Sequence, residues 1–259
     1  MIARAESVMG TVVSFLVDPG TLSDEVVNRL IDDACAELHH LDERFSTWKP
    51  ESELSRWRGG ETAAPSPLMN EVLELSRAAQ RITQGFFDPW ALPGGFDPTG
   101  LVKGWAAERA LAILARGGLT TALVNAGGDI CVLPGASFDV GVQHPSDPDA
   151  LCGVVRVTTA VATSGVYARG DHLVNPFGGE VAAVSATVIG GRLAYADALA
   201  TALAVGGAPV LHLLERRRGV EGFFITSEGT LYQTSGMTFV HAVAPDEGQG
   251  NRREAGPTL

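Results

Sequence analysis

Asp197 and Thr201 stand one helical turn apart in Ala196-Asp197-Ala198-Leu199-Ala200-Thr201, inside an apolar run over residues 181–210. The Ala, Leu and Tyr around them, with Gly206-Gly207 behind, predict a helix over 193–205 that stops at a glycine cap. Positions i and i+4 share a helix face, so the carboxylate and the hydroxyl project together near the helix start. They offer two hard oxygen donors to one small cation, which is half of a Mg²⁺ site. A plainer account also fits these two residues: Asp197 complements the positive end of the helix dipole and Thr201 packs.

Two turn-rich segments are dense in aromatics and carboxylates, Gly85-Phe86-Phe87-Asp88-Pro89-Trp90 and Phe96-Asp97-Pro98-Thr99-Gly100-Leu101-Val102-Lys103-Gly104-Trp105. Loops of this kind commonly carry function. Lys103 is expected to open a helix over 103–116, closed by Gly117-Gly118, so that its ammonium and the first-turn amides face one anion. It can equally be a solvated surface lysine. Trp48, among turn residues, either stacks on a planar ligand or lids the core. Thr163 and Ser164 either donate hydrogen bonds to a ligand or finish a strand. Gly127-Gly128 marks a simple bend or a close backbone approach to a ligand.

The elements that would position these residues are legible as pattern. Residues 8–17 are β-branched and aromatic-rich and read as a first strand closed by Asp18-Pro19-Gly20. Ser23 is a good N-cap, followed by Asp24, Glu25 and an apolar stripe from Val26 to Leu41 at helical spacing. Residues 59–67 read as a surface loop. Ser66-Pro67 then starts a helix that Gly85 ends. Strands are expected at 122–132, interrupted by the paired glycines, and at 138–143, 153–162 and 181–189. Beyond the Asp197 helix come a short helix at 209–217 and strands near 222–226 and 237–240. The class is α+β, helices packed on largely antiparallel sheet.

Composition narrows the partners. The 259 residues are 45% hydrophobic, ample for one large core. A net charge of −11, with no basic block, argues against nucleic acid and anionic membrane. Cys35, Cys131 and Cys152 are odd in number and lack a C-x-x-C, so neither a disulfide framework nor a zinc site is expected. Residues 181–214 carry Arg192 and Asp197 near their centre, which disfavours a membrane span. Residues 1–10 do not read as a secretory signal, so a cytoplasmic location is expected. The polar stretch 245–259 has nothing to bury. The expected organisation is one domain over residues 1–242 with a disordered tail, 243–259.

Met9-Gly10-Thr11, Gly85-Phe86-Phe87-Asp88-Pro89, the Asp97 to Gly104 segment, Asn125-Ala126-Gly127-Gly128-Asp129, Ala162-Thr163-Ser164-Gly165 and Ala-Asp-Ala-Leu-Ala-Thr occur in this order. Together they resemble the ApbE family of FAD:protein FMN transferases, over nearly the whole chain. The resemblance implies Mg²⁺-dependent transfer of the FMN half of FAD to a threonine or serine hydroxyl of an acceptor flavoprotein, with release of AMP. Carried over by motif, Asp197, Thr201 and the Gly100 carbonyl are the expected metal ligands. Met9, Trp48, Phe86, Phe87, Asp88, Asp97, Lys103 and His172 line the expected FAD pocket, with Lys103 and His172 catalytic. His172, in Asp171-His172-Leu173-Val174-Asn175-Pro176, matches a family His-x-x-Asp-Pro segment and is the expected general base. Taken alone it is a loop histidine among six.

The residue types suit this chemistry. Attack of a hydroxyl on phosphorus needs charge neutralised on the pyrophosphate, and it needs a base for the alcohol proton. Three positions depart from the family pattern: Asn175 replaces aspartate, Trp90 a threonine, and Pro98-Thr99-Gly100 a Leu-Ser-Gly. An asparagine that no longer orients His172 would slow the base. Two other functions share these residues: a Mg²⁺-dependent FAD pyrophosphatase giving FMN and AMP, and a non-catalytic FAD-binding protein.

Overall fold

The computed structural model describes residues 1–61, 64–92, 94–165 and 173–240. Eight strands form one antiparallel sheet in the order β1-β2-β3-β4-β7-β8-β9-β10. These are Ile2–Val8, Thr11–Asp18, Thr121–Ala126, Asp129–Val132, Ala160–Gly165, Ser185–Gly190, Val220–Ile225 and Leu231–Gln233. The remaining two, β5 (Phe138–His144) and β6 (Asp147–Val157), pair as a separate antiparallel ribbon. The α+β class with largely antiparallel sheet is therefore the observed one.

Side-chain alternation along the central strands builds two cores, one on each face of the sheet. Cys131, Ala160, Ala162 and Phe224 join the larger core with the helices. Their neighbours Ile130, Val132, Val161 and Phe223 join a smaller core with Val142, Val155 and Val157 of the ribbon. On the helical face lie α4 (Thr99–Arg116), against β3 and β4, and α5 (Leu193–Gly206), against β7 and β8. The long α1 (Asp24–Phe45) packs on α4, and α6 (Ala208–Glu215) packs on β9. α2 (Glu53–Arg58) and α3 (Pro67–Ile82) complete the described helices. None is long and apolar enough to cross a membrane.

Caps set the helix starts that were legible. The Ser23 and Ser66 hydroxyls accept from the Val26 and Met69 amides, at 3.4 and 3.2 Å. Pro67 follows Ser66 at the first helical position. Short α2, capped by Ser52, was not anticipated. α5 is apolar almost all round and buried on nearly every side, as its composition requires.

Five boundaries differ from expectation, one being the strand expected at 181–189, which begins only at Ser185. The strand predicted at 8–17 begins at Thr11, and β1 before it was not anticipated: Met9 and Gly10 both take positive φ, 55° and 69°, and turn a two-residue hairpin between them. α4 begins at Thr99 and not at Lys103, with a non-helical Gly100 (φ −77°, ψ 20°) inside its first turn. The expected strand 153–162 is split between the ribbon and the sheet. Residues 237–240 are not a strand; the last one is β10, while Phe239 packs on Phe223 and Met237 joins the smaller core. The expected tail, 243–259, lies outside the described residues.

Candidate active site

Asp197 and Thr201 do share a face of α5, and β7 and the start of α4 approach Thr201 there. Asp197 is only 6% exposed. The Thr201 hydroxyl lies 3.3 Å from the Ser164 hydroxyl, presented by β7. A Cβ at Gly100 would stand 3.3 Å from Thr201 Oγ1 and 3.0 Å from Phe87 Cε2, so the kinked start of α4 is seated between the α5 hydroxyl and an aromatic ring. No acidic residue occupies the first turn of α5; Asp197 lies beyond it, where a helix-dipole effect has faded. Thr201 does more than pack, since its hydroxyl faces another.

This donor set suits a small hard cation. Among the described residues no three His, Cys, Asp or Glu side chains cluster as a metal site. One carboxylate, a hydroxyl and a main-chain carbonyl are oxygens only, matching the preference of Mg²⁺ for few carboxylates and retained waters. The absence of a side chain at Gly100 leaves its backbone close to Thr201.

The aromatic wall is held by the end of α3. That helix closes with Gln84 in the left-handed region (φ 54°), the Gly85 amide donating to Gln80 O at 2.8 Å. The Thr83 hydroxyl donates back to Ala79 O at 2.9 Å and accepts from the Phe87 amide at 3.2 Å. Phe87 is thereby fixed and buried, while Phe86 is half-buried and meets the Phe177 ring edge-on at 4.9 Å. Asp88 and Asp97 each commit an oxygen locally, accepting from the amides of Trp90 at 2.9 Å and Thr99 at 3.0 Å. Asp97 so supplies the cap that Pro98 cannot.

Lys103 is neither at a helix start nor a surface lysine. It lies in the second turn of α4, its side chain 15% exposed and ion-paired to Asp129, which is 1% exposed. The second Asp129 oxygen accepts from the Thr163 amide at 3.3 Å. The Thr163 hydroxyl contacts that of Thr187 at 2.9 Å. Thr163 thus serves the sheet through its hydroxyl and Asp129 through its amide. Asp129 was missed as a site residue, although it closes the Asn125-Ala126-Gly127-Gly128-Asp129 motif.

That motif is a hairpin turn with both glycines at positive φ, and Asn125 Oδ1 accepts from the Gly128 amide at 2.7 Å. Its close approach is to protein: a Cβ at Gly127 would fall 2.3 Å from Thr11 Oγ1. Thr11 directly follows the Met9-Gly10 turn, so the two hairpins pack side by side at one end of the sheet. Trp48 is 92% exposed, which rules out the core-lid account. His172 lies outside the described residues. The start of α5 is tied to α4 by Arg192, which donates to Glu108 Oε2 at 2.8 Å. That hydrogen bond holds the guanidinium pKa above its ordinary value.

Known proteins agree with this architecture. The family model described as ApbE family matches residues 9–94 and 93–224. An FAD:protein FMN transferase of Escherichia coli (strain K12) is 25% identical over 269 aligned residues, covering 76% of this chain and 77% of that protein. The solved structure of the flavin transferase ApbE from Vibrio cholerae superposes with a TM-score of 0.73 at 20% identity, covering 90% of this chain and 97% of that one. The ApbE protein from Thermotoga maritima does so at 0.78 and 19%, with the same coverages.

Proposed function

The chain belongs to the ApbE family, and from that premise we propose that it transfers the FMN moiety of FAD to a threonine or serine hydroxyl of an acceptor flavoprotein, releasing AMP. The observation that supports this reading best is the Thr201 hydroxyl beside the Gly100 backbone, which Phe87 also faces, with Asp197 one turn away on the same helix. It sets hard donors for a pyrophosphate-bound cation beside an apolar surface for a flavin.

In the proposed reaction the acceptor oxygen forms a bond to the FMN phosphorus. The bond from that phosphorus to the bridging oxygen breaks, and AMP leaves with that oxygen. The hydroxyl proton passes to a base, for which we assign His172. Asp197, Thr201 and the Gly100 carbonyl would hold Mg²⁺, which when bound neutralises pyrophosphate charge. Lys103 would add a positive charge to the same end of the substrate, oriented by Asp129. Met9, Trp48, Phe86 and Phe87 would offer apolar surface to FAD. Asp88 and Asp97, acceptors only, suit hydroxyl or N–H groups of the substrate and not its phosphates.

The test is to incubate the full chain with FAD, Mg²⁺ and an acceptor domain, reading AMP release and acceptor mass. A Mg²⁺-dependent mass gain equal to FMN, lost in Asp197→Ala, is expected. AMP with free FMN and no labelled acceptor would replace the transferase by a pyrophosphatase. FAD binding without AMP would replace it by a carrier.

A further inference from the structure

Asn175 stands where the resemblance expects an aspartate, and its side chain does something an aspartate cannot. Its Oδ1 accepts from the Phe177 amide at 3.0 Å, while its Nδ2 donates to the Glu180 carbonyl at 3.3 Å. Its own carbonyl accepts from the Gly178 amide at 3.0 Å, and Gly178 and Gly179 follow at positive φ. One planar amide, acceptor at one end and donor at the other, thus closes the turn 175–180. An ionised carboxylate has no donor, so at that position it would set two acceptors against each other.

The turn presents Phe177, which is 64% exposed yet directed onto Phe86. The rings meet edge-on, centroids 4.9 Å apart and planes at 62°. Phe86 is confined on another side by the end of α5, where a Cβ at Gly206 would lie 2.5 Å from Phe86 Cδ1. It adjoins Phe87 in sequence, the ring against Gly100. We propose that Asn175 is a positioning residue for flavin binding. It acts through Phe177 to hold Phe86 in the pocket wall, and it takes no part in the proton transfer assigned to His172. This rests on the flavin-transfer reading above.

The test is an FAD titration of the full chain by flavin fluorescence, with turnover measured alongside, for the natural protein and for Asn175→Ala, Asn175→Asp, Phe177→Ala and the Asn175→Ala/Phe177→Ala pair. Asn175→Ala and Phe177→Ala should each weaken FAD binding roughly threefold to tenfold, the range an edge-on ring pair is worth, with kcat unchanged. Asn175→Asp should weaken binding as Asn175→Ala does. The double variant should bind no worse than Phe177→Ala, because the two act in series. Independent, multiplying losses in the double variant would overturn the proposal. So would an Asn175→Asp variant that binds FAD normally or turns over faster. A natural protein that binds no FAD would overturn the flavin reading itself, and this inference with it.

Discussion

Gly104 lets α4 and α5 touch backbone to backbone, and Gly104→Ala tests whether that contact sets the site. An added Cβ would lie 2.8 Å from the Leu193 carbonyl oxygen, 3.0 Å from its carbon and 3.1 Å from the Ala194 nitrogen. The first distance is about 0.6 Å short of ordinary contact. What it meets is main chain, with no side-chain end to swing aside, so the helices must separate. Alanine raises helix propensity by about 1 kcal/mol over glycine, whereas overpacking costs about 1–3 kcal/mol. The net expectation is a loss of up to about 2 kcal/mol, a fall in Tm of roughly 4–8 °C for a chain of this size.

The effect on activity should be larger. Leu193 begins α5, and Asp197 and Thr201 ride on the same helix, while Gly100 rides on α4. A shift near 0.6 Å would move the two halves of the donor set apart, and misplacements of about 1 Å cost up to roughly 10²-fold. AMP release at saturating FAD and Mg²⁺ should therefore fall about 10- to 100-fold at temperatures where the variant is fully folded. A folded Gly104→Ala protein with natural turnover would refute the claim that this contact spaces the site.

Lys103→Met leaves the buried Asp129 carboxylate without its ion-pair partner and should cost about 3–5 kcal/mol in denaturant unfolding. Adding Asp129→Asn should restore much of that stability without restoring turnover, separating the two roles of the lysine. Gly127→Ala meets both a positive φ of 65° and the Thr11 hydroxyl, and should cost about 2–4 kcal/mol by the same measurement. The Glu53 carboxyl is pushed up by burial, but hydrogen bonds from Ser66 and Arg44 outweigh this and hold its pKa below the ordinary 4.5. Its contribution to stability is therefore present above that value and lost as pH falls through the lower folded one. Glu53→Gln should lower Tm at pH 7 and flatten its fall on acidification.

What the sequence made legible was whatever local chemistry decides. Ser23 and Ser66-Pro67 mark helix starts because the cap is a property of adjacent residues. The Met9-Gly10 hairpin was hidden because methionine is no turn former, and only the pairing of β1 with β2 holds it at positive φ. The start of α4 was hidden by Pro98 and Gly100, which read as breakers although Pro98 only precedes the first turn, capped by Asp97, and Gly100 kinks a helix already begun. β6 and β7 ran together because Thr158-Thr159 lacks Gly or Pro, and the change of sheet is decided by which core each half enters. The Lys103–Asp129 pair joins α4 to β4 across the fold, a relation no local pattern carries.

The same logic explains why Asp197 was the clearest signal and Asp129 a silent one. α5 is buried on almost every side and built of Ala, Leu and Val, so a carboxylate within it contradicts the pattern of its own helix. Burial of a carboxylate is costly, so one set within an apolar helix stands out from its sequence alone. Asp129 is buried more deeply, yet it follows a glycine turn, where aspartate is ordinary, and its compensating lysine is invisible until the chain folds. Local inconsistency therefore located the oxygens proposed for the cation. Lys103 was legible as the basic group for the same substrate, but its buried partner Asp129 emerged only from the packing of α4 on β4.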